Sequence, residues 1–242
     1  MICQTRKYSR LAIRLGLLCL LIVPSLSAHQ QFDEKFHSVV KELSKAKIPR
    51  PAFKSFDEAW EMTQDVHFRV YDVVKRICKE ENITNKSCMW SISVERNAIF
   101  NAYASRNNKI VISSGLIDQI KYEDELAFVI AHEIAHHLLN HITKGATLII
   151  SGQILGTILF SNEAGGYVMA SLLRSLPSRQ FETNADALAI KIVELAGYDL
   201  KKARYVLMRM AKLDPSIKSR ILESHPAGVE RIVAFDKYRE NL

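Results

Sequence analysis

Residues Glu123 to His141 read EDELAFVIAHEIAHHLLNH. Leu126, Ile130, Ile134, Leu138 and Ile142 recur every fourth residue and make one apolar stripe, the mark of a helix packed on a core. His132 and His136 stand two positions out of phase with that stripe, about 160° round the helix at about 100° per residue. They therefore face a different layer, whereas a buried structural histidine belongs with the apolar face. Four residues apart on a helix, two side chains lie about 6 Å from one another on one face, so both imidazoles can close on a single metal ion. With Glu133 they form the pattern H-E-x-x-H, in which the glutamate sits beside a metal-activated water. Average residue usage produces this pattern on the order of one per cent of the time in a chain of this length. A metal site of zinc-hydrolase type is the reading that the segment favours.

Two histidines leave zinc short of a third protein ligand, and a hydrolytic site also keeps a fourth position open for water. Glu182 is the best candidate. It heads Glu182-Thr183-Asn184-Ala185-Asp186 on a later helix, with Asp186 four positions on and on the same face. A carboxylate at Asp186 can accept a hydrogen bond from the far nitrogen of a ligand imidazole and fix its tautomer; by spacing alone, a solvated acidic face fits these residues equally well. With three ligands in place, one Zn2+ per chain lowers the pKa of its bound water to about 7. Glu133 then takes the proton and delivers it to the leaving amine. His225 and Arg231, at and after the Ser224-His225-Pro226 turn, are placed to donate to the developing oxyanion, although a capped helix start explains His225-Pro226 as readily. His137 and His141 form a second pair four apart, but no acid follows His137 to act as base, so they read as supporting or surface groups.

The chain has 242 residues, enough for one well-cored domain. Arg6, Lys7, Arg10 and Arg14 make a basic head, Leu15 to Val23 an apolar run, and Pro24-Ser25-Leu26-Ser27-Ala28 a small-residue exit. Residues 1–28 are expected to be a secretory signal peptide and 29–242 the folded domain; the alternative is an anchor that stays attached. Bulky Leu18 before Cys19 argues against lipid attachment. Losing the leader drops the formal net charge from +7 to +3. Without a basic cluster interleaved with aromatics, nucleic acid is not an expected partner. Cys78 and Cys88 remain, and in an oxidising compartment they are expected to pair; two buried free thiols are the alternative. Asn82 and Asn85 head sequons that matter only in a eukaryotic host.

Residues Gln30 to Lys47 and Ser55 to Lys79 carry apolar residues at helical spacing on either side of Pro49 and Pro51. Short β-rich runs follow at Trp90 to Val94, Ile99 to Ala104 and Ile110 to Ser113, with Ser105 to Asn108 as a turn, and a small antiparallel sheet is expected. Beyond the His-bearing helix, Ala146 to Leu176 holds two apolar runs, each too short for a confident span. They read as a buried hairpin, or as one that touches the bilayer or covers a groove. Helices are expected at Phe181 to Leu195, at Leu200 to Leu213 and from Pro226. The fold class is therefore α+β: mostly helical, a small sheet, and the H-E-x-x-H on a central helix.

In these blocks the chain resembles the zinc metallopeptidase family that includes the CAAX prenyl proteases, the HtpX-type membrane proteases and soluble periplasmic members. The matching residues are Asn101-Ala102-Tyr103-Ala104, Ser114-Gly115-Leu116, His132 to His137 with His141, Glu182 to Asp186 as E-x-x-A-D, and Ser224-His225-Pro226 with Arg231. The resemblance implies that His132, His136 and Glu182 bind zinc, that Glu133 is the general base and that Asp186 supports a ligand. It implies that Asn101 to Ala104 is an edge onto which an extended peptide adds. It associates His225 with transition-state support or with gating of the zinc. Ser224 replaces the usual Thr, and Ser105 to Asn108 replaces a Gly-rich turn, which leaves the groove shape open. The chain resembles the short exported members, so prenylated substrates are not expected.

Two functions follow as expectations. One is a periplasmic zinc endopeptidase, exported and in some form membrane-associated, acting on misfolded or misassembled envelope and outer-membrane proteins. The other is an envelope chaperone or assembly scaffold in which zinc is structural or the site is held shut. The apolar segment 146–176 motivates the second and offers a membrane-surface contact.

Overall fold

The site is carried by helices that enter and leave a three-stranded sheet, and the computed structural model describes them over residues 30–51, 54–80, 88–105, 108–139, 181–213, 225 and 228–242. The expected signal segment, both sequons, the apolar stretch 146–176, His141, Ser224 and Pro226 lie outside the described residues. The chain divides into two units, Met1–Ala46 and Lys47–Leu242. In the first, residues 30–45 form helix α1.

In the second unit, α2 (Phe56–Glu80) starts from a capping box. The Ser55 hydroxyl accepts from the Glu58 amide at 3.3 Å, and the Glu58 carboxylate accepts from the Ser55 amide at 2.7 Å. Its buried stripe is Ala59, Thr63, Val66, Val70, Val73, Val74 and Cys78. Phe68 and Trp60 fall off this stripe and are exposed. Cys78, at the end of the stripe, is disulfide-bonded to Cys88. The pairing expected from the sequence is thus present, and it ties the end of α2 to the approach of the sheet.

The strands are β1 (Ser91–Glu95), β2 (Ala102–Ala104) and β3 (Lys109–Ser113), in the order β1-β3-β2. The β2–β3 pair is antiparallel, with Ala102 opposite Ile112 and Ala104 opposite Ile110. The β1–β3 pair is parallel, with Ser91 opposite Lys109 and Glu95 opposite Ser113. The expectation of an antiparallel sheet needs correcting on this point: the sheet is mixed. β1 and β2 do run in opposite directions, but β3 slots between them instead of adding outside. Strand runs read along the sequence report direction and leave spatial order undecided. β2 is consequently an edge strand, and it is shorter than the expected run Ile99 to Ala104.

Ser113 ends β3 and caps α3 (Ser114–Ile117), accepting from the Leu116 amide at 3.2 Å. The backbone of residues 97–99 presses on this turn so closely that a Cβ at Gly115 would lie 2.4 Å from the Ala98 carbonyl oxygen, so only glycine fits.

Helix α4 (Glu123–Leu138) follows, and every residue from Glu125 to His137 is buried. It packs against α2, β2 and the later helices, so the stripe of Leu126, Ile130 and Ile134 and the opposite histidine face each meet protein. A helix covered all round is held in place from several sides, which suits a ligand platform. Glu125 anchors its start: one carboxylate oxygen accepts from the Lys121 and Tyr122 amides at 2.9 and 3.1 Å, and the other meets Arg209 at 2.6 Å.

Helix α5 covers residues 181–195 and stops at Gly197, whose φ of 79° reverses the chain. The expected helix from Leu200 to Leu213 is two pieces, α6 (Leu200–Ala203) and α7 (Tyr205–Ala211), joined at Arg204. Asp199 caps α6 through the Lys201 amide at 2.8 Å. The last helix, α8 (Val229–Glu240), begins three residues after Pro226.

Candidate metal centre

Helix α4 presents His132, Glu133 and His136; the first turns of α5 present Glu182 and Asp186; His225 precedes α8, and Arg231 lies in its first turn. None of the seven is more than 8% exposed. So many buried polar groups are tolerated only when they satisfy one another or a cation.

The Nε2 atoms of His132 and His136 are 3.0 Å apart. Glu182 straddles them, with Oε2 3.3 Å from His132 Nε2 and Oε1 3.2 Å from His136 Nε2. A third imidazole closes the group: His225 Nδ1 lies 3.2 Å from His132 Nε2 and 3.1 Å from Glu182 Oε2. One ligand atom from each of these four residues falls within 4.8 Å of every other. Bonds of about 2.0–2.1 Å to a tetrahedral zinc ion give an edge of about 3.3 Å between ligand atoms. The observed separations of 3.0–3.3 Å fit that figure. Lone pairs this close repel unless protons or a cation lie between them, so the residues fit a bound metal, and two imidazoles with one carboxylate suit zinc. His225 takes the corner that a hydrolytic site leaves for water.

Asp186 and Arg231 lie behind this cluster. Asp186 Oδ1 is 2.9 Å from His132 Nδ1, a close ion-pair distance, though the angle falls short of an aligned hydrogen bond. Arg231 donates from Nε and Nη2 to the two Asp186 oxygens at 2.8 and 2.7 Å, a forked pair, and its Nη1 lies 3.1 Å from Glu182 Oε2. The guanidinium expected as an oxyanion donor is thus turned onto two carboxylates. Spacing gave no hint of this, because Asp186 is 45 residues away and Glu182 further still.

These contacts set the charges. Burial pulls His132 down, but Asp186 and Glu182 outweigh it and raise the imidazole to about 9. Burial dominates at His136 and, with the neighbouring imidazoles, lowers it to about 3. Burial would raise Glu182, but His132, His136 and His225 hold it well below the usual carboxylate range. Asp186 is likewise kept low by Arg231 against the effect of burial. In the chain alone, one proton on His132 thus stands where the positive charge of a metal would be.

Glu133 Oε1 is buried and makes no hydrogen bond; His225 Nε2 lies 3.3 Å from it. A carboxylate oxygen left free beside the ligands is placed to take a proton. A shallow, partly open cleft lies over this group. Its polar side is His132, Glu133, His225 and Arg231, and its apolar side includes Phe128, Val206, Leu207 and Met210. The α7 residues escaped sequence reasoning because an apolar helix face looks the same whether it lines a core or a cleft.

Asn101 to Ala104, read as the peptide edge, form β2 and its approach. Ser113 Oγ accepts from the Asn101 amide at 3.0 Å and donates to the Asn101 carbonyl at 2.8 Å, while the Ser113 amide donates to that same carbonyl. At the other end the Ser105 amide donates to the Lys109 carbonyl at 2.8 Å. In an antiparallel pair, bonded and non-bonded positions alternate. Asn101 and Ser105 face β3, so the main-chain groups of Ala102 and Ala104 face the open edge. Tyr103 is 41% exposed beside them. His137 is buried, and burial lowers its pKa.

A helix-borne histidine pair, a carboxylate from a second helix and a glutamate oxygen without a hydrogen bond beside them make an arrangement of metallohydrolase type. The chain belongs to peptidase family M48, whose profile matches residues 66–239. The mitochondrial metalloendopeptidase OMA1 of Arabidopsis thaliana is 32% identical over 145 residues, covering 59% of this chain and 30% of that protein. The metalloprotease LoiP of Escherichia coli is 28% identical over 142 residues, covering 54% of this chain and 55% of that protein. The beta-barrel assembly-enhancing protease of Yersinia pestis is 27% identical over 154 residues, covering 56% and 32%. The chain spans between 30% and 55% of the length of these relatives.

Proposed function

We propose that this protein is a zinc-dependent endopeptidase, with His132, His136 and Glu182 as ligands and Glu133 as general base. The observation that carries the reading is the convergence of those three ligand atoms at 3.0–3.3 Å beside a buried carboxylate oxygen that has no hydrogen bond. Zinc held there supplies Lewis acidity, polarising a carbonyl oxygen and acidifying a water. The chain's own residues do the rest. Glu133 Oε1 accepts the proton of the attacking water and returns it to the leaving amine. Asp186 orients the His132 ring from behind, and Arg231 holds Asp186 and Glu182 in place. An extended peptide adds to β2 through the main-chain groups of Ala102 and Ala104, with Tyr103 alongside.

His225 favours a refinement. Its Nδ1 sits in the fourth corner and its Nε2 beside Glu133, so as folded it blocks the place of the water and must swing aside before hydrolysis. Outside that corner it is placed to donate to the oxyanion. A resting state of this kind also accommodates the chaperone or scaffold reading, in which client binding outlasts cleavage.

The setting we infer is the cell envelope, with residues 1–28 as an export signal and 29–242 as the working domain. The basic head followed by a short apolar run supports export, and the Cys78–Cys88 bond supports an oxidising compartment. A relative named for β-barrel assembly supports misassembled envelope or outer-membrane proteins as substrates. No helix among the described residues is long and apolar enough to cross a membrane.

The test measures zinc content and casein cleavage together in the parent, Glu182→Ala, Glu133→Gln and His225→Ala. The endopeptidase reading expects zinc lost in the first variant, zinc kept but cleavage lost in the second, and faster cleavage in the third. Cleavage by Glu133→Gln at the parent's rate would remove the assigned base. Client binding that survives Glu133→Gln, with no cleavage from the parent or from His225→Ala, would establish the scaffold reading instead.

A further inference from the structure

Edge strands are ordinarily blunted by charge, by proline or by a bulge, because their unpaired main-chain groups otherwise recruit another chain. Strand β2 reads Ala102-Tyr103-Ala104 and carries neither charge nor proline. Its middle residue leaves an aromatic ring 41% exposed, a large apolar surface that burial would stabilise. Beyond standing alongside the peptide, that ring has no task in the mechanism.

The pairing of β2 with β3 shows where the ring lies relative to an added strand. The Ser113 amide donates to the Asn101 carbonyl and the Ser105 amide to the Lys109 carbonyl, and Tyr103 stands opposite Val111 midway between these bonds. Bonded positions alternate, so Tyr103 directs its main-chain groups to β3 while Ala102 and Ala104 turn theirs outward. Side chains alternate as well. Ala102 shares a face with Ile110 and Ile112, and all three are fully buried. Tyr103 shares the other face with Val111 and, across β3, with Ser93, so the row Ser93, Val111, Tyr103 ends at the open edge.

An antiparallel peptide, the direction that is more stable per residue, bonds to Ala102 and Ala104. Its residue opposite Tyr103 then falls at a non-hydrogen-bonded position, where Cα atoms come to about 4.5 Å and side chains on one face meet most closely. The peptide residues on either side turn toward the other face, where β2 offers only the methyl groups of Ala102 and Ala104. Tyr103 is thus the β2 side chain able to tell one peptide from another.

We infer that Tyr103 is a specificity-determining residue: its ring pairs with one peptide side chain across the edge and favours substrates with an aromatic or β-branched residue at that position. This rests on the endopeptidase reading and on antiparallel addition to β2. Aromatic and β-branched residues are those enriched in strands, so the preferred substrate is a β-strand segment that lacks its own partner. The main chain of β2 supplies affinity and Tyr103 supplies choice.

The test uses the full chain carrying Glu133→Gln, in which cleavage is expected to be lost, and two synthetic peptides, one alternating Val with Ser and one alternating Ala with Ser. Dissociation constants are measured by calorimetry with Tyr103 in place and with Tyr103→Ala, Tyr103→Phe or Tyr103→Glu added, and zinc content checks folding. Val outbinds Ala at any edge through strand propensity, so the quantity read is the change in the Val-to-Ala ratio between Tyr103 and Tyr103→Ala. The ratio is expected to fall by roughly two- to fivefold, the worth of one cross-strand pair, and to be restored in Tyr103→Phe. Should Tyr103→Ala fail to fold, Tyr103→Glu is read in its place, with preference expected to shift to a peptide alternating Lys with Ser. An unchanged ratio, or an equal fall in Tyr103→Phe, overturns the inference, and so does failure of both peptides to bind with Tyr103 in place. Casein cleavage by the chain with Glu133 intact separates the two readings. Cleavage with an unchanged ratio ends the inference alone, whereas a Tyr103-dependent ratio without cleavage keeps the pairing and places the failure with the endopeptidase reading.

Discussion

Helix α4 packs against β2, and the histidine face of the one and the open edge of the other are built on opposite plans. On α4, specificity is in side-chain identity: buried imidazoles and carboxylates, each needing its neighbours, and a helix covered on every side. On β2 the proposed recognition is in the main chain, where a three-residue strand of Ala102, Tyr103 and Ala104 leaves backbone groups at an edge. On the proposed reading, chemistry depends on which residues are present, and recognition on where the backbone is held. Substitutions should therefore act sharply and specifically on the first region and gradually on the second.

The sharpest break should come at Glu133. Glu133→Gln keeps shape and metal but removes the base, and kcat on casein should fall about 10²- to 10⁴-fold with zinc content unchanged. Next comes the support behind the ligands. Arg231→Met leaves Asp186 and Glu182 as uncompensated buried charges, and urea unfolding should show a loss of about 3–5 kcal/mol. A loss under about 1 kcal/mol would mean that the fork is not needed to hold the carboxylates. Away from both regions, Cys78→Ser with Cys88→Ser should cost about 2.5–3 kcal/mol by chain entropy, with kcat and KM on the folded fraction unchanged.

The edge should respond more mildly. Ala104→Pro removes a main-chain donor that faces away from β3, so the sheet should persist while KM on casein rises several-fold and kcat stays within about twofold. If kcat falls and KM does not, peptides do not add to this edge. The smallest signal is protonic. His132, raised to about 9 in the metal-free chain, is protonated at pH 7.5, whereas a ligand imidazole must be neutral. Zinc uptake at that pH should release close to one proton per ion, measurable by calorimetry in buffers of different ionisation heat, and affinity should weaken as pH falls. Sign and stability agree: the contribution of a raised His132 to the metal-free fold is complete below its unfolded pKa near 6.5 and fades as pH rises through 9. The zinc-bound protein should therefore gain most over the apoprotein at alkaline pH.

The two regions also differ in how well the sequence announced them. The phase of His132 and His136 against Leu126, Ile130 and Ile134 marked a second buried layer, while Glu182 and Asp186 fitted a solvated acidic face equally well by spacing and were drawn to the cluster by the family resemblance. Helix spacing is local physics, and so is a cap such as Ser55 with Glu58. The interleaving of β3 between β1 and β2 was not legible, because strand order depends on contacts between distant segments. Nor was the turning of Arg231 toward Asp186 and Glu182. Those bonds exist only once α5 and α8 have been brought together beside α4.

By itself the sequence determined the chemistry on offer: which residues can bind a metal, which acid stands beside them, which helix bears them and which cysteines can pair. Tertiary structure alone decided that three imidazoles crowd one carboxylate, with His225 in the fourth corner, and that β2 is left as an edge. The reason is the range of the forces involved. Helical periodicity acts over a few residues, while the repulsion of buried lone pairs and the placing of a strand act between segments that meet only in the folded chain.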